Sequence, residues 1–318
     1  MIKKPLKKPL RIQVKEALLR RLPLHHEKRA EITANLQKRW SGYVGEQQLD
    51  YHLSFLNEQE FDIFHDLRLV VNKKICQLDT LVVTPQVLFI IESKNFAGEL
   101  LYDHEIKRFI RKYQDQESSF PDPIMQVNRQ KHILKEWLGS TKLSMPIEGL
   151  VSIGNSTLML KTNGPREIFS KILYAEQIPQ QVQLTKEKYT DRLLSSYMLQ
   201  KLQKRLIQAH AAPELNLLSQ YRIDPTDIIT GVQCPSCKNI PLIRIKYHWY
   251  CPACQQVSKD AHNQAIEDYF LIYGQATNKQ CRKFLHITSI NLCSRWLNDL
   301  EFPYTGSGRY KVYYRKNS

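Results

Sequence analysis

The stretch Gln77–Lys94, with the sequence QLDTLVVTPQVLFIIESK, predicts two short strands joined by a turn. Both arms are rich in Val, Ile, Leu and Phe, which favour strands, and a proline lies between them. If Pro85 and Gln86 form a two-residue loop, Thr84 faces Val87 across the hairpin. This register fixes which side chains meet further along the two strands.

The same register places Asp79 of the first strand opposite Glu92 of the second strand. Lys94 shares a face with Glu92, because side chains alternate along a strand with a period of two. Two acids and a lysine at the polar end of an apolar hairpin suit a hydrolytic metal site. We therefore take this hairpin as the centre of a catalytic domain.

The composition favours a polyanionic partner. The chain has 318 residues, which predicts two or three domains, and its formal charge is +15. Residues 1–40 contain 12 Lys/Arg and 3 Asp/Glu, and residues 231–318 contain 12 and 5, so both ends are basic and the middle is nearly neutral. Such ends would grip a nucleic-acid backbone, and we expect DNA as the partner, with RNA as an alternative.

The sequence predicts a cytoplasmic protein without a membrane span. No apolar run has the length of a spanning helix, and the basic N-terminal sequence lacks the apolar region and cleavage site of a secretory signal. Seven cysteines, four of them in two Cys-x-x-Cys pairs, fit a reducing compartment better than a disulfide framework. The sequence does not predict an oligomeric state.

Hydrophobic periodicity and breaker residues divide the chain into five segments. The order of helix, strands, helix and strand around the hairpin predicts an α/β domain with a mixed sheet. The first segment could be a charged helical face that binds nothing in particular, a nucleic-acid contact or a membrane-surface helix. The predicted segments are a solvated basic arm (1–36), the α/β domain (37–155), a helical scaffold or linker (156–230), a small cysteine module (231–258) and a C-terminal module (259–318).

Four short motifs occur in order along residues 37–155: Gly42-x-x-Gly45-Glu46, Asp79, Glu92-x-Lys94 and Pro123-x-x-Gln126. This ordered set resembles the nuclease-related domain called NERD, which is grouped with the PD-(D/E)XK nucleases. The resemblance implies a restriction-endonuclease-like mixed sheet flanked by helices, and a metal-dependent phosphodiester hydrolase.

The resemblance also assigns a role to each motif residue. Asp79 and Glu92 would hold Mg²⁺ or Mn²⁺, since hard cations take carboxylate oxygens and retain water. Lys94 would orient or deprotonate the attacking water and offset phosphate charge, and Glu46 would complete the site from a helix. Gln126, and Gln130 one turn later, would lie near the scissile phosphate.

Simpler interpretations of these residues stay open at this point. Glu92 and Lys94 could be a surface ion pair of small energetic value. Glu46 could be an ordinary acid at a helix N-terminus, and Gln126 could be a solvated helix residue. The domain could also keep a nuclease fold and lack activity. Cys76 is interpreted as a small core residue.

The spacing C-x₂-C-x₁₃-C-x₂-C predicts a zinc ribbon. Each Cys-x-x-Cys pair forms a knuckle, and the β-rich segment between the pairs can fold back as a hairpin. Four thiolates saturate one structural Zn²⁺; disulfides, free thiols or His248 as a substitute ligand are the alternatives. The ligands are Cys234, Cys237, Cys251 and Cys254, and Arg244, Lys246, Tyr247 and Trp249 are candidates to offer charge or stacking faces to nucleic acid.

Residues 259–318 are similar to a helix-turn-helix module with a wing. A third helix over Ile290–Leu300 would enter a major groove, and Tyr304–Tyr314 would form the wing. The alternative is a small helical bundle for protein contacts, with Cys281 and Cys293 in its core. Candidate groove contacts are Asn291, Ser294, Arg295 and Asn298, and the wing carries Arg309, Lys311 and Arg315.

These observations predict a metal-dependent nuclease that hydrolyses DNA and is tethered to it by a zinc ribbon and a winged-helix-like module. The alternative is not an enzyme: a non-catalytic DNA-binding or regulatory protein with an inactive nuclease fold.

Overall fold

The structure is a computed structural model, and it describes residues 1–316. The chain divides into two compact units. Unit 1 comprises Met1–Lys7 and Trp40–Pro213, and unit 2 comprises Lys8–Arg39 and the chain from Glu214 onward. Each unit has its own hydrophobic core.

Helices and strands alternate along most of the chain. The helices are α1 (Leu10–Arg21), α2 (Arg29–Leu53), α3 (Pro123–Ser140), α4 (Ile178–Glu187), α5 (Ser196–Ala209), α6 (Leu217–Tyr221), α7 (Ala261–Tyr273), α8 (Asn278–Leu285) and α9 (Ile290–Asp299). The strands of unit 1 are β1 (Ile2–Lys4), β2 (Asp62–Val71), β3 (Lys74–Val83), β4 (Leu88–Lys94), β5 (Glu99–Asp103), β6 (Arg108–Tyr113), β7 (Gln116–Pro121), β8 (Ile147–Ile153), β9 (Met159–Thr162) and β10 (Ile172–Tyr174). The strands of unit 2 are β11 (Ile243–Ile245), β12 (His248–Tyr250), β13 (Val257–Ser258), β14 (Gln275–Thr277), β15 (Tyr304–Thr305) and β16 (Val312–Tyr314).

A six-stranded mixed sheet in the order β1-β2-β3-β4-β8-β10 forms the centre of unit 1. The β2-β3-β4 meander is antiparallel, whereas β4, β8 and β10 run parallel. These strands can pair in parallel because long crossover segments, rather than tight turns, connect them: β5, β6, β7 and α3 lie between β4 and β8, and β9 lies between β8 and β10. The prediction of a mixed sheet flanked by helices is therefore confirmed.

The sheet is buried on both faces, which explains the continuous apolar run in β4. Ile90 packs into a core that contains Val127 and Leu134 of α3. Its neighbour Ile91 packs on the opposite face, in a core that contains Leu49 of α2. Glu92 and Lys94 follow Ile90 with a period of two, so they lie on the α3 face.

A second sheet in the order β7-β6-β5-β9 lies beside the first core. Its edge strand β7 is mostly polar and exposed. Residues 156–213 are not a linker in this structure. They supply β9 to the second sheet and β10 to the first, and α4 and α5 bury apolar side chains against unit 1.

Unit 2 is built around one core that takes side chains from α1, α6, α7, α8 and α9 and from the sheet β11-β12-β13. A further sheet in the order β14-β16-β15 closes the C-terminal part. The cysteine module and the C-terminal module, which the sequence divides at residue 258, therefore share a single core. The ribbon sheet is too small to bury its apolar residues alone.

The expectation of a solvated N-terminal arm is wrong. Ile2–Lys4 pairs in parallel with β2 as an edge strand of the main sheet. Helix α1 buries Ile12, Val14 and Leu18, and even the cation Arg21 is fully buried. The basic composition of α1 led to the wrong prediction, because lysines and arginines interrupt its apolar residues. The aliphatic parts of some of these basic side chains are buried as well.

Among the described residues, no helix combines the length and the apolar character needed to cross a membrane.

Candidate active site and metal centre

The register of the β3-β4 hairpin is the one predicted from the sequence. Val83 pairs with Leu88 and Thr80 pairs with Ile91, so position 79 falls opposite position 92. Thr84 closes the turn, since its hydroxyl donates to the carbonyl of Val87 at 2.7 Å and accepts from two backbone N–H groups. The hairpin therefore brings Asp79 and Glu92 together at one end of the sheet.

Helix α3 holds Glu92 and Lys94 through two glutamines. Lys94 Nζ donates to Glu92 Oε1 at 2.6 Å and to Gln126 Oε1 at 3.1 Å. Gln130 Nε2 donates to Glu92 Oε2 at 2.8 Å and to the carbonyl of Gln77 at 3.0 Å. Glu92 and Gln130 are buried, so this is not a solvated surface ion pair. Gln130 therefore makes the direct contact with Glu92, whereas Gln126 contacts Lys94.

Burial and neighbouring carboxylates disfavour the ionised form of Asp79. Its Oδ2 accepts a hydrogen bond from the backbone N–H of Ser93 at 3.0 Å. Burial, and then the charges of Glu92 and Glu46, raise the pKa of Asp79 well above its ordinary value, while the Ser93 hydrogen bond and Lys94 oppose the shift. A cation at this position would relieve the repulsion among the carboxylates.

Glu46 lies in the middle of α2, not at a helix N-terminus as one interpretation of the sequence held. Helix α2 begins at Arg29, so the whole Gly-x-x-Gly-Glu motif is helical. Glu46 is close enough to Asp79 for its charge to raise the pKa of Asp79. This third acid therefore lies at the same end of the sheet.

Two glycines let α2 approach the sheet closely. A Cβ on Gly45 would lie 2.7 Å from Cβ of Asn95 and 3.2 Å from Oγ of Ser93, and a Cβ on Gly154 would lie 2.7 Å from Cα of Gly45. Asn95 also donates to the carbonyl of Ser41 at 2.7 Å. The end of β4 and the Glu46 turn of α2 are therefore in direct contact, a consequence of Gly154 that no sequence motif indicated.

A buried histidine links α2 to the same strands. His65 of β2 is fully buried, with Nε2 2.9 Å from Oδ1 of Asp50 and Nδ1 3.1 Å from Oγ1 of Thr80. Asp50 lies one helical turn after Glu46, and Thr80 follows Asp79. The imidazole thus connects the elements that carry two of the three acids. No local pattern predicts this link, because the partners of His65 lie in other segments of the chain.

Asp122 fixes the start of α3. Its Oδ1 accepts from the N–H of Ile124 at 2.7 Å, and its Oδ2 accepts from the hydroxyl of Tyr102 at 3.2 Å. Burial and Asp122 raise the pKa of Tyr102 to about 12, so the phenol stays a donor. A capping aspartate before a proline at the first helical position is a common helix start, and it sets the direction in which Gln126 and Gln130 point.

Residues 41–153 match the family model of NERD, the nuclease-related domain. The match includes Glu46, Asp79, Glu92, Lys94 and Gln126, and it indicates a nuclease-related function. It ends before the cysteine module. No curated protein and no solved structure matches the chain.

Outside the NERD domain, four cysteines form a compact group that could bind zinc. The sulfur atoms of Cys234, Cys237, Cys251 and Cys254 all lie within 4.8 Å of one another, with closest separations of 3.5 and 3.6 Å. Tetrahedral zinc with Zn–S bonds of about 2.3 Å requires sulfurs about 3.8 Å apart, so the donor set fits. Although burial acts in the opposite direction, N–H groups of Cys237 and Ser236 and the neighbouring thiols lower the pKa of Cys234 to about 6.

Within the described residues, this is the only group of three or more His, Cys, Asp or Glu residues whose ligand atoms lie so close together. The alternative zinc ligand His248 is not part of it, and neither are Cys281 and Cys293, which are buried in the core of unit 2. The three acids of the NERD domain are spaced more widely than the cysteines.

The ribbon side chains considered for nucleic-acid stacking have different environments. Trp249 is buried at 1% exposure, so the expectation that it offers a stacking face is wrong. Its indole instead donates to Nδ1 of His262 at 3.2 Å. Tyr247 and Lys246 lie at the exposed β11-β12 turn.

The structure places most of the C-terminal candidates on the surface of unit 2. Asn291, Arg295 and Asn298 are exposed on α9, whereas the hydroxyl of Ser294 is engaged by Nδ2 of Asn278 at 2.9 Å. In the wing, the guanidinium of Arg309 lies 5.0 Å from the ring centre of Tyr310, and Nζ of Lys311 lies 3.8 Å from that of Tyr304. Arg315 is only partly exposed, and burial lowers its pKa.

Proposed function

We propose that the chain is a metal-dependent nuclease that hydrolyses phosphodiester bonds in DNA. The observation that carries this proposal is the arrangement of Asp79, Glu92 and Lys94 at one end of the β3-β4 hairpin. It is supported by the NERD match and by the raised pKa of Asp79, which results from burial and then from the negative charges of Glu92 and Glu46. Carboxylates in such surroundings take a hard divalent cation, for which Asp79 and Glu92 would be the ligands.

A bound Mg²⁺ or Mn²⁺ would polarise the scissile phosphate and lower the pKa of a coordinated water. Lys94, held by Gln126, would orient the attacking water and offset negative charge on the phosphate. Gln130 would keep the Glu92 carboxylate in one orientation, and Glu46 would add a third acid from α2. The cysteine group would hold one structural zinc.

The C-terminal part of unit 2 would bind the nucleic acid. Helices α8 and α9 are joined by a short turn, and Ser289 caps α9 by accepting from the N–H of Leu292. Exposed Asn291 and Arg295 at the start and middle of α9, with Arg309 and Lys311 in the wing, would contact the duplex.

The test is cleavage of plasmid and single-stranded DNA in Mg²⁺ or Mn²⁺. The parent protein should cut, and Glu92→Ala and Lys94→Ala should each lower the rate at least about 100-fold. Glu99→Gln is the control, because Glu99 forms an exposed ion pair with Lys161 on the second sheet. It should cut like the parent.

Equal cleavage by the parent and both variants would refute the catalytic assignment. A folded parent that binds DNA in a salt-sensitive way but cuts no substrate would instead identify a DNA-binding protein with an inactive nuclease fold. Preferential cleavage of RNA in the same assay would assign the activity to RNA.

A further inference from the structure

Strand β11 of the ribbon has its charged residue on the inner face. Ile243 and Ile245 are about half exposed, at 51% and 49%, whereas Arg244 between them is only partly exposed. Neighbouring side chains of a strand point to opposite faces, so the guanidinium is directed towards the core of unit 2. An apolar-out and charge-in pattern opposes the hydrophobic effect, and another interaction must favour it.

Two buried indoles hold the guanidinium of Arg244. Its Cζ lies 5.2 Å from the ring centre of Trp249 and 5.3 Å from that of Trp296 on α9. Both tryptophans are fixed by His262, which accepts from the Trp249 indole and lies 3.7 Å from the Trp296 ring, centre to centre. Contact with two aromatic faces stabilises the cation and fixes its orientation.

Two of the three guanidinium nitrogens of Arg244 have no hydrogen-bond partner among the described residues. These two atoms, Nε and Nη1, are buried, and no carboxylate is among the groups that shift the pKa of Arg244. Its charged neighbour is a second cation, Arg295, on the α9 turn that carries Trp296. A planar guanidinium without a counter-ion, beside an exposed arginine, is suited to an anion with several acceptor oxygens.

We propose that Arg244 and Arg295 form a phosphate-binding site for a nucleic-acid backbone, where the ribbon sheet meets α9. Trp249 and Trp296 position the guanidinium of Arg244, and Arg295 supplies a second guanidinium that is exposed to solvent. The site reads phosphate and not base edges, so it sets where the chain sits on its substrate without selecting a sequence. This inference rests on nucleic acid being the partner in the proposed function, but it does not require catalysis.

The test is fluorescence anisotropy of the full-length, zinc-loaded protein with labelled DNA, without added divalent cation, over a series of salt concentrations. Arg295→Gln and Arg244→Met should each weaken binding roughly tenfold, the effect of losing a charge-assisted hydrogen bond. Each should also reduce the slope of log affinity against log salt by about one. Lys161→Gln is the control, because this exposed lysine already has a carboxylate partner and its loss should leave the slope unchanged.

Two further arms identify what is bound. RNA of the same sequence should show the same losses, and inorganic phosphate should compete for the parent more strongly than for Arg295→Gln. A loss confined to one DNA sequence would overturn the proposal in favour of base readout. Parent-like affinity and slope in Arg295→Gln would also overturn it, and this exposed substitution tests the site even if Arg244→Met fails to fold.

Cleavage measured in parallel separates the two proposals. Loss of binding in the arginine variants of a protein that cuts nothing would support the phosphate site and refute the nuclease assignment. Normal binding by these variants in a protein that cleaves DNA would refute the phosphate site and support the nuclease assignment.

Discussion

A helical carboxylate can join a site on a sheet only if the helix approaches the sheet closely, and Gly45 permits this approach. Its Cα faces Gly154, and a methyl group on it would collide with Asn95. Gly42, one turn earlier on α2, faces open space, since a Cβ there would have no atom within 4 Å. The two glycines of the motif therefore have different physical roles.

This difference gives a matched pair of substitutions. Gly42→Ala should leave activity unchanged and raise the free energy of unfolding by up to about 1 kcal/mol, because alanine favours a helix. Gly45→Ala has the same helix preference but should displace α2 and the Glu46 side chain from Asp79. We expect at least a tenfold lower cleavage rate, measured beside urea unfolding.

An active Gly45→Ala variant with the stability of Gly42→Ala would contradict the close-approach explanation. Loss of activity in both variants would also contradict it, because nothing in the structure restricts a side chain at Gly42.

At the scale of elements, α1 is tied to α7 by a buried charge cluster within unit 2. Both oxygens of Asp268 accept from arginines of α1: Oδ1 from Arg20 at 2.6 Å and Oδ2 from Arg21 at 2.7 Å. Arg21 also donates to the carbonyl of Gly231 at 2.6 Å and lies over the ring of Phe284. Three segments distant in sequence therefore meet at one guanidinium.

Breaking this cluster on one side should be strongly destabilising. Asp268→Asn leaves Arg21 buried without its counter-charge, and we expect a loss of about 3–5 kcal/mol in the free energy of unfolding. Glu117→Gln, which removes the acid of the exposed Lys112–Glu117 pair, should change it by less than about 1 kcal/mol. Chemical denaturation of both variants measures the difference, and similar small losses would show that the buried pair contributes little.

At the scale of the whole molecule, the cysteine group belongs to the core of unit 2. Cys234 and Cys251 pack in the same cluster as Leu18 of α1 and Phe270 of α7. Zinc binding would therefore stabilise more than the ribbon, since metal affinity and folding free energy are linked.

Metal analysis of the purified protein should return about one zinc per chain, lost in Cys234→Ser. Calorimetry should then show a lower midpoint for one unfolding transition, while the transition of the NERD-containing unit persists, because the two units have separate cores. Cys293→Ala is the control: this cysteine is buried in the same core but is not in the sulfur group, so zinc should be retained. A folded, metal-free parent would contradict the zinc assignment.

Local patterns in the sequence were sufficient for several features. The β3-β4 register followed from a two-residue turn and alternating side chains, and the cysteine spacing predicted the sulfur group, because both depend on residues close together in the chain. The place of Glu46 beside Asp79 and Glu92 was instead implied by the resemblance to NERD.

Long-range packing decided the rest. The sequence assigned α1 to a solvated arm because its composition is basic, but Asp268, more than 240 residues later, supplies the buried counter-charge. The contact of Gly154 with Gly45 and the position of His65 between Asp50 and Thr80 likewise depend on residues that are far apart in the sequence. Local sequence determines strands, turns and knuckles through short-range sterics and hydrogen bonds, whereas a buried charge or a close helix–sheet contact depends on a partner that only the tertiary structure brings near.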